Sequence, residues 1–424
     1  MKTLFKNATV LDGTREMKPS EGIDVLVDNG RIAAVGSCSA ADAQIVDLSG
    51  KYLMPGLCNL HVHLPAGGRP GKQRDQKRIA QLVLKNPIVK QVAKSICASY
   101  AKDELFSGVT TLRAVGGLAD IDTVLRDRIN SGRQTGPRIL AANMAIGPVG
   151  GHMVGTVAEA AENEAQAVRM VQERVAQKVD LVKLMVTGGV LDATVRGEPG
   201  VLKMPPALIR ACCDEAHKHG LRVAAHVQSA EGVRAAVNNG VDTIEHGAIL
   251  DDAAIDTLKA KNGAVVCTVS PAFPLAKFDR AILGVSEEVQ YNSGVVLNGM
   301  IEGAKQALAA GIPVGLGTDT GCPYTTHYNM WRELVFFQKL VGVSPAFALH
   351  TATLLNAQLV GLGDETGSIE PGKSADFLIT DSDPLQGFET MKEPYMVVMR
   401  GKVFLRPKPK KYRLTDDLLD RYMP

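Results

Sequence analysis

The chain has 424 residues, more than one small core usually holds, and enough for a barrel of about 250 residues with an appended unit. Hydrophobic residues make up 45% and charged residues 22%, beside 42 glycines and 21 prolines, which excludes global disorder and implies many short loops. Lys and Arg total 47 against 45 Asp and Glu, and the resulting +2 gives no basis for a nucleic-acid partner.

The first segment, KTLFKNATVLDG followed by IDVLVDNGRIAAVGS, alternates apolar and polar residues around Asn29-Gly30 and predicts a β-hairpin with a tight turn. Residues 1–20 lack the apolar stretch of a signal peptide, and no run of 18 apolar residues occurs anywhere. The expectation is a cytoplasmic protein with no membrane partner. The seven cysteines are odd in number and lack CxxC spacing, so neither a disulfide framework nor a thiolate metal site is expected.

From about residue 57 to 360, short continuous apolar runs alternate with helical stretches. The strand candidates are GVTTLRAVG, PRILAAN, LVKLMVTGG, RVAAHV, TIEHGA, AVVCTVS and PVGLGTD; EAAENEAQAVRMVQERVAQ, PALIRACCDEAHKHG and EGVRAAVNNG are helix candidates. Strands buried on both faces read this way, and the alternation predicts an α/β fold with a parallel sheet closed as a (β/α)8 TIM barrel. Further on, GSIEPGKSADFLITDSDP and YMVVMRGKVFL return to strand patterns. The predicted division is a composite β-sandwich of residues 1–56 and 361–405, a catalytic barrel of 57–360 and a C-terminal tail of 406–424, with a Pro/Lys-rich connector leading into a short helix.

Barrel chemistry sits at the C-terminal strand ends, which directs attention to polar residues there. In GLCNLHVHL the strand period of two puts His61 and His63 on one face, where they can grip one cation. A second pair of this spacing, His217 and His219, closes an apparent helix before Gly220, where the two rings point apart; that pair reads as structural. His226 ends RVAAH and His246 ends TIEH, although either histidine taken singly is more often a hydrogen-bonded core residue. Asp319 in GLGTD is an aspartate in an apolar setting that needs a cation or donors. Lys183 lies within the apolar run DLVKLMVTGG, where a free ammonium demands a partner. Pairing with an aspartate is one solution. Addition of CO2, which turns the neutral amine into an anionic carbamate with two oxygens, is another.

The ordered phrases YLMPGLCNLHVHL, SGVTTLRAVGG, VKLMVTGGV, AAHVQS, IEHG, GTDTG and EPGKSADFLI resemble the amidohydrolase superfamily of binuclear type. Within it they look most like the branch of imidazolonepropionase-related enzymes, Xaa-Pro and Xaa-Arg/Lys dipeptidases and ochratoxin-type amidases. The resemblance spans nearly the whole chain. It implies that His61, His63 and Asp319 hold one divalent metal, that His226 and His246 hold a second, and that N-carboxylated Lys183 bridges them. Zinc suits these ligand types. It further implies hydrolysis of an amide or peptide bond in a small substrate, a dipeptide or an N-acyl amino acid, by a metal-bridging hydroxide with Asp319 as general acid and base. His152, in GPVGGHM, resembles a histidine that binds the carbonyl oxygen in this branch. His327 and Tyr328 are candidate pocket residues, as is Arg113, expected at the rim. The branch often has Arg-Asp at that point, whereas this chain has Ala114. Homo-oligomers are common in the resembling family and are expected here.

Opening of a cyclic amide is the alternative enzymatic reading. Deamination is disfavoured, because deaminases of the superfamily typically place Glu three residues after the fifth-strand histidine, where this chain has Ser229. A non-catalytic scaffold of the same fold is a third reading, opposed by the presence of all six ligand candidates.

Overall fold

The computed structural model describes residues 2–70, 75–193 and 195–424. Five strands come first: β1 (Lys2–Val10), β2 (Ser20–Asp28), β3 (Arg31–Gly36), β4 (Gln44–Asp47) and β5 (Tyr52–Pro55). The hairpin expected at Asn29-Gly30 is present. Asp28 pairs with Arg31, and Asn29 and Gly30 adopt φ of 49° and 80°, the doubly left-handed turn that matches the strand twist.

The middle of the chain supplies β6 (Leu57–Val62), β7 (Val109–Ala114), β8 (Arg138–Ala141), β9 (Ala145–Pro148), β10 (Ala158–Ala161), β11 (Leu181–Met185), β12 (Arg222–Val227), β13 (Thr243–His246), β14 (Ala264–Cys267) and β15 (Val314–Leu316). They form two parallel sheets, β6-β7-β8 and β10-β9-β11-β12-β13-β14-β15. Backbone bonds run between the two sheets: the Asp319 N–H donates to the His61 carbonyl and the His63 N–H to that of Thr320, both at 2.8 Å. These strands are buried along almost their whole length, with helices outside, as the continuous apolar runs require.

One helix begins later than its sequence pattern suggests. Ala158–Ala161 pairs with β9 as a parallel strand, and the helix runs from Glu164 to Ala176, started by Asn163, whose side chain accepts from the Gln166 N–H. Alanine favours helix, but propensity is a weak prior that tertiary context overrides, and the edge of a sheet captures the segment here.

Finally β16 (Phe377–Thr380), β17 (Met396–Met399) and β18 (Lys402–Leu405) rejoin the first sheet, in the order β18-β17-β16-β5-β1-β2-β3 with β4 paired to β1. Strands from both ends thus form one hydrogen-bonded eight-stranded sheet, where two packed layers were expected. Its own core gathers Phe5, Val25, Leu53, Phe377 and Val398. The tail forms a helix, Arg413–Tyr422, whose Leu419 packs on Phe278 and Tyr324. Among the described residues no helix is long and apolar enough to cross a membrane. All seven cysteines are free, and five are buried.

Candidate metal centre

Strand alternation and strand ends bring the candidate ligands to one rim. His61 lies near the end of β6 and His63 just beyond it, with ring centroids 5.3 Å apart. His226 lies one residue before the end of β12, and His246 ends β13. The rings of His61 and His246 are 4.8 Å apart and those of His226 and His246 4.6 Å, so the four imidazoles form one cluster. Asp319 follows β15, and its Oδ1 lies 3.4 Å from Nε2 of His61 and 3.1 Å from Nε2 of His63. Ligand atoms of His61, His63 and Asp319 all fall within 4.8 Å of one another. His246 and Asp319 carry φ of 68° and 55°, a left-handed conformation uncommon outside glycine but adopted by Asp and His more readily than by most side chains.

Each imidazole uses one nitrogen to fix its ring. Nδ1 of His61 meets Glu245 at 2.8 Å, that of His63 the Gly116 carbonyl at 3.0 Å and that of His246 the Thr268 hydroxyl at 2.7 Å. Nε2 of His226 meets the Gly188 carbonyl at 3.3 Å. One nitrogen per ring remains for a cation, the usual pattern of a second hydrogen bond orienting a metal-binding histidine. Burial pushes His61 down to about 4 and His226 and His246 well below their ordinary range, so these rings are neutral and able to ligate. Burial alone would raise the Asp319 carboxyl, but the imidazoles of His61, His63 and His246 outweigh it and hold the group well below its usual range.

Lys183 sits in the middle of β11, 1% exposed, and its Nζ has no hydrogen-bond partner among the described residues. Burial lowers its pKa to about 8, against the opposing pull of Glu245 and Asp319. A buried amine with no donor contact, beside neutral imidazoles and a carboxylate, is an orphan that the carbamate chemistry would resolve: it would add two oxygens where the cluster lacks them. The donor set of imidazole nitrogens and carboxylate oxygens fits a first-row divalent ion such as zinc.

The other sequence candidates divide. His152 stacks on His226 at the mouth, and its Nδ1 is bonded to Asp192. Arg113 is 4% exposed and points beneath the cluster rather than to the rim: its guanidinium meets both Glu245 oxygens, at 2.7 and 2.8 Å, and the Leu60 carbonyl at 2.8 Å. Both nitrogens of His327 are engaged, by Glu104 at 3.1 Å and the Ala66 carbonyl at 2.7 Å, so the ring braces the loop after β6. Tyr328 donates to Asp416 and accepts from the Tyr412 N–H, which ties it to the tail. Ser229 caps the helix Ala230–Asn238. His217 pairs with Asp242 at 2.9 Å, in keeping with a structural role.

Sequence reasoning passed over Glu245, Asp192, Thr268 and Cys322, whose thiol lies 3.5 Å from Asp319. For Glu245 a signal existed: a carboxylate inside the apolar run TIEH needs a buried partner as much as Lys183 does.

A sequence profile described as the amidohydrolase family matches residues 52–404. The fold is similar to that of a proposed prolidase from Bifidobacterium longum, with a TM-score of 0.88 and 34% identity, covering 100% of this chain and 99% of that one. It is also similar to a Xaa-Pro dipeptidase with methionine bound in its active site, with a TM-score of 0.83 and 26% identity over 96% of this chain and 100% of that one. Among curated sequences, ochratoxinase of Aspergillus niger is 24% identical over 396 residues, 84% of this chain and 76% of that protein.

Proposed function

This chain belongs to the amidohydrolase family, a hydrolase acting on carbon–nitrogen bonds, and from that premise we propose that it cleaves the amide bond of a small dipeptide or N-acyl amino acid at a binuclear metal centre. The observation that carries this reading is the orphaned Nζ of Lys183 within the imidazole and carboxylate cluster. His61, His63 and Asp319 would hold one ion, His226 and His246 the second, and carboxylated Lys183 both; zinc is the metal we expect. The similar Xaa-Pro dipeptidase with methionine bound in its active site, and the similar ochratoxinase, support a substrate of this class.

Divalent metals, when bound, polarise an amide carbonyl and lower the pKa of water. The chain supplies the rest. Asp319 accepts a proton from the attacking water at its carboxylate and returns it to the leaving nitrogen. His152, held through Nδ1 by Asp192 and stacked on His226, contacts the substrate oxygen as charge develops there.

The test is elemental analysis of protein purified with bicarbonate, with amine release measured over a panel of dipeptides and N-acyl amino acids. About two metals per chain with turnover, both lost in Lys183→Ala, is the expected result. Metal-free, inactive protein that ignores added zinc would overturn the reading.

A further inference from the structure

Glu245 is 0% exposed, and its carboxylate accepts four hydrogen bonds from three groups: two from Arg113, at 2.7 and 2.8 Å, one from the Thr243 hydroxyl at 2.8 Å, and one from Nδ1 of His61 at 2.8 Å. Arg113 also donates from Nε to the Leu60 carbonyl, so the cluster joins β6, β7 and β13 directly below the histidines. For stability alone, apolar side chains of similar volume would serve as well as a buried ion pair. What the pair supplies is an anion aimed at one ring nitrogen.

We propose that Glu245, fixed by Arg113, is a positioning residue that sets the tautomer and aim of His61 and thereby the strength of the first metal position; this rests on the binuclear reading above. Both Glu245 oxygens already accept from the Arg113 guanidinium, so toward His61 the carboxylate acts as an acceptor; this places the His61 proton on Nδ1 and the lone pair on Nε2, the nitrogen 3.4 Å from Asp319. His63 and His226 lean on backbone carbonyls and His246 on a hydroxyl. His61 alone among these four has a carboxylate on the nitrogen turned away from Asp319 or its neighbours, and a carboxylate partner makes the imidazole a stronger donor. The signal is legible in the chain as Arg113 and Glu245, two charges in otherwise apolar strands.

Zinc retention against a chelator tests this in Glu245→Gln, with Thr243→Val as the control that loosens the same carboxylate without touching His61. The metal-free fold of each is checked by circular dichroism and unfolding. The expected result is roughly 10- to 100-fold weaker zinc binding in E245Q and unchanged binding in T243V. If E245Q does not fold, Arg113→Met with Glu245→Gln removes both charges together and is expected to show the same weakened binding. Zinc binding equal to the parent in either folded variant overturns the inference, as does equal weakening in T243V. A parent chain that takes up no zinc would instead overturn the binuclear reading, and this inference with it.

Discussion

His152 lies face to face with His226, ring centroids 4.3 Å apart and planes 20° from parallel, while Asp192 holds its other edge. The stack puts a loop imidazole directly against a strand imidazole, and under the proposed function substrate contact and metal ligation would share this pair. If His152 stabilises the developing oxyanion, His152→Ala lowers kcat by about 100-fold with metal content unchanged, and Asp192→Ala lowers it less. Steady-state kinetics beside elemental analysis check this; loss of metal in H152A would reassign His152 to ligation.

Gly189 leaves room for that arrangement. A Cβ there would stand 2.5 Å from His152 Cε1, whereas at neighbouring Gly188 it would meet only Lys203 Cε at 3.6 Å and the Val201 carbonyl. Gly189 has φ of −108°, so alanine is free of backbone strain and acts by displacing the ring. Gly189→Ala is expected to cost about tenfold or more in kcat/KM, by the sensitivity of catalysis to small misplacements. Gly188→Ala, measured beside it, should stay near the parent.

Lys183→Met separates stability from metal binding. In metal-free protein at pH 7 the substitution replaces an amine without hydrogen bonds by an apolar group of similar length, and should stabilise by about 1–3 kcal/mol. The same variant should fail to retain zinc. Denaturant unfolding of the chelated proteins gives the first quantity; destabilisation of metal-free K183M would mean that the amine is satisfied.

Asp122 is a second buried orphan, with neither oxygen hydrogen-bonded among the described residues, and burial pushes its carboxyl up to about 7. Because the folded state holds this proton more tightly than the unfolded chain, its contribution is fully present below the unfolded value of 3.8 and is lost as pH rises to about 7. Between pH 5 and pH 8 the parent should lose about 2–3 kcal/mol through this group, and Asp122→Asn should abolish that part of the slope. Unfolding curves at the two pH values decide it.

The tail is fastened to the loop that follows Asp319. Tyr328 accepts from the Tyr412 N–H at 2.7 Å and donates to Asp416 at 3.1 Å, Arg332 meets Asp420 at 2.7 Å, and Tyr422 donates to Asp279 at 2.9 Å. Tyr328→Phe leaves a backbone N–H and a carboxylate without that partner, a loss of about 1–3 kcal/mol in tail docking. Trypsin should then cut at Lys411 or Arg413 at least about fivefold faster, by local opening, while zinc content holds. An unchanged digestion rate would show that Leu419 and the ion pairs fasten the helix by themselves.

The sequence by itself determined the parallel α/β character, the strand ends that carry His61, His63, His226, His246 and Asp319, and the return of the C-terminal strands to the N-terminal ones. These follow from local rules: apolar runs of strand length, turn residues such as Asn29-Gly30, and charged or imidazole groups that break an apolar run. Only the tertiary structure decided what those groups face. Arg113 was expected at the rim and lies below the cluster on Glu245; for His327 and Tyr328 pocket lining and bracing of the adjoining loop were both open, and their partners are Glu104 and the Ala66 carbonyl for the one and the tail for the other; Asp192 and Glu245 have their partners 40 and 184 residues away. The period of a strand states which side chains share a face, but which of several faces meet in the interior depends on how the strands are registered against one another, and that is a property of the assembled sheets.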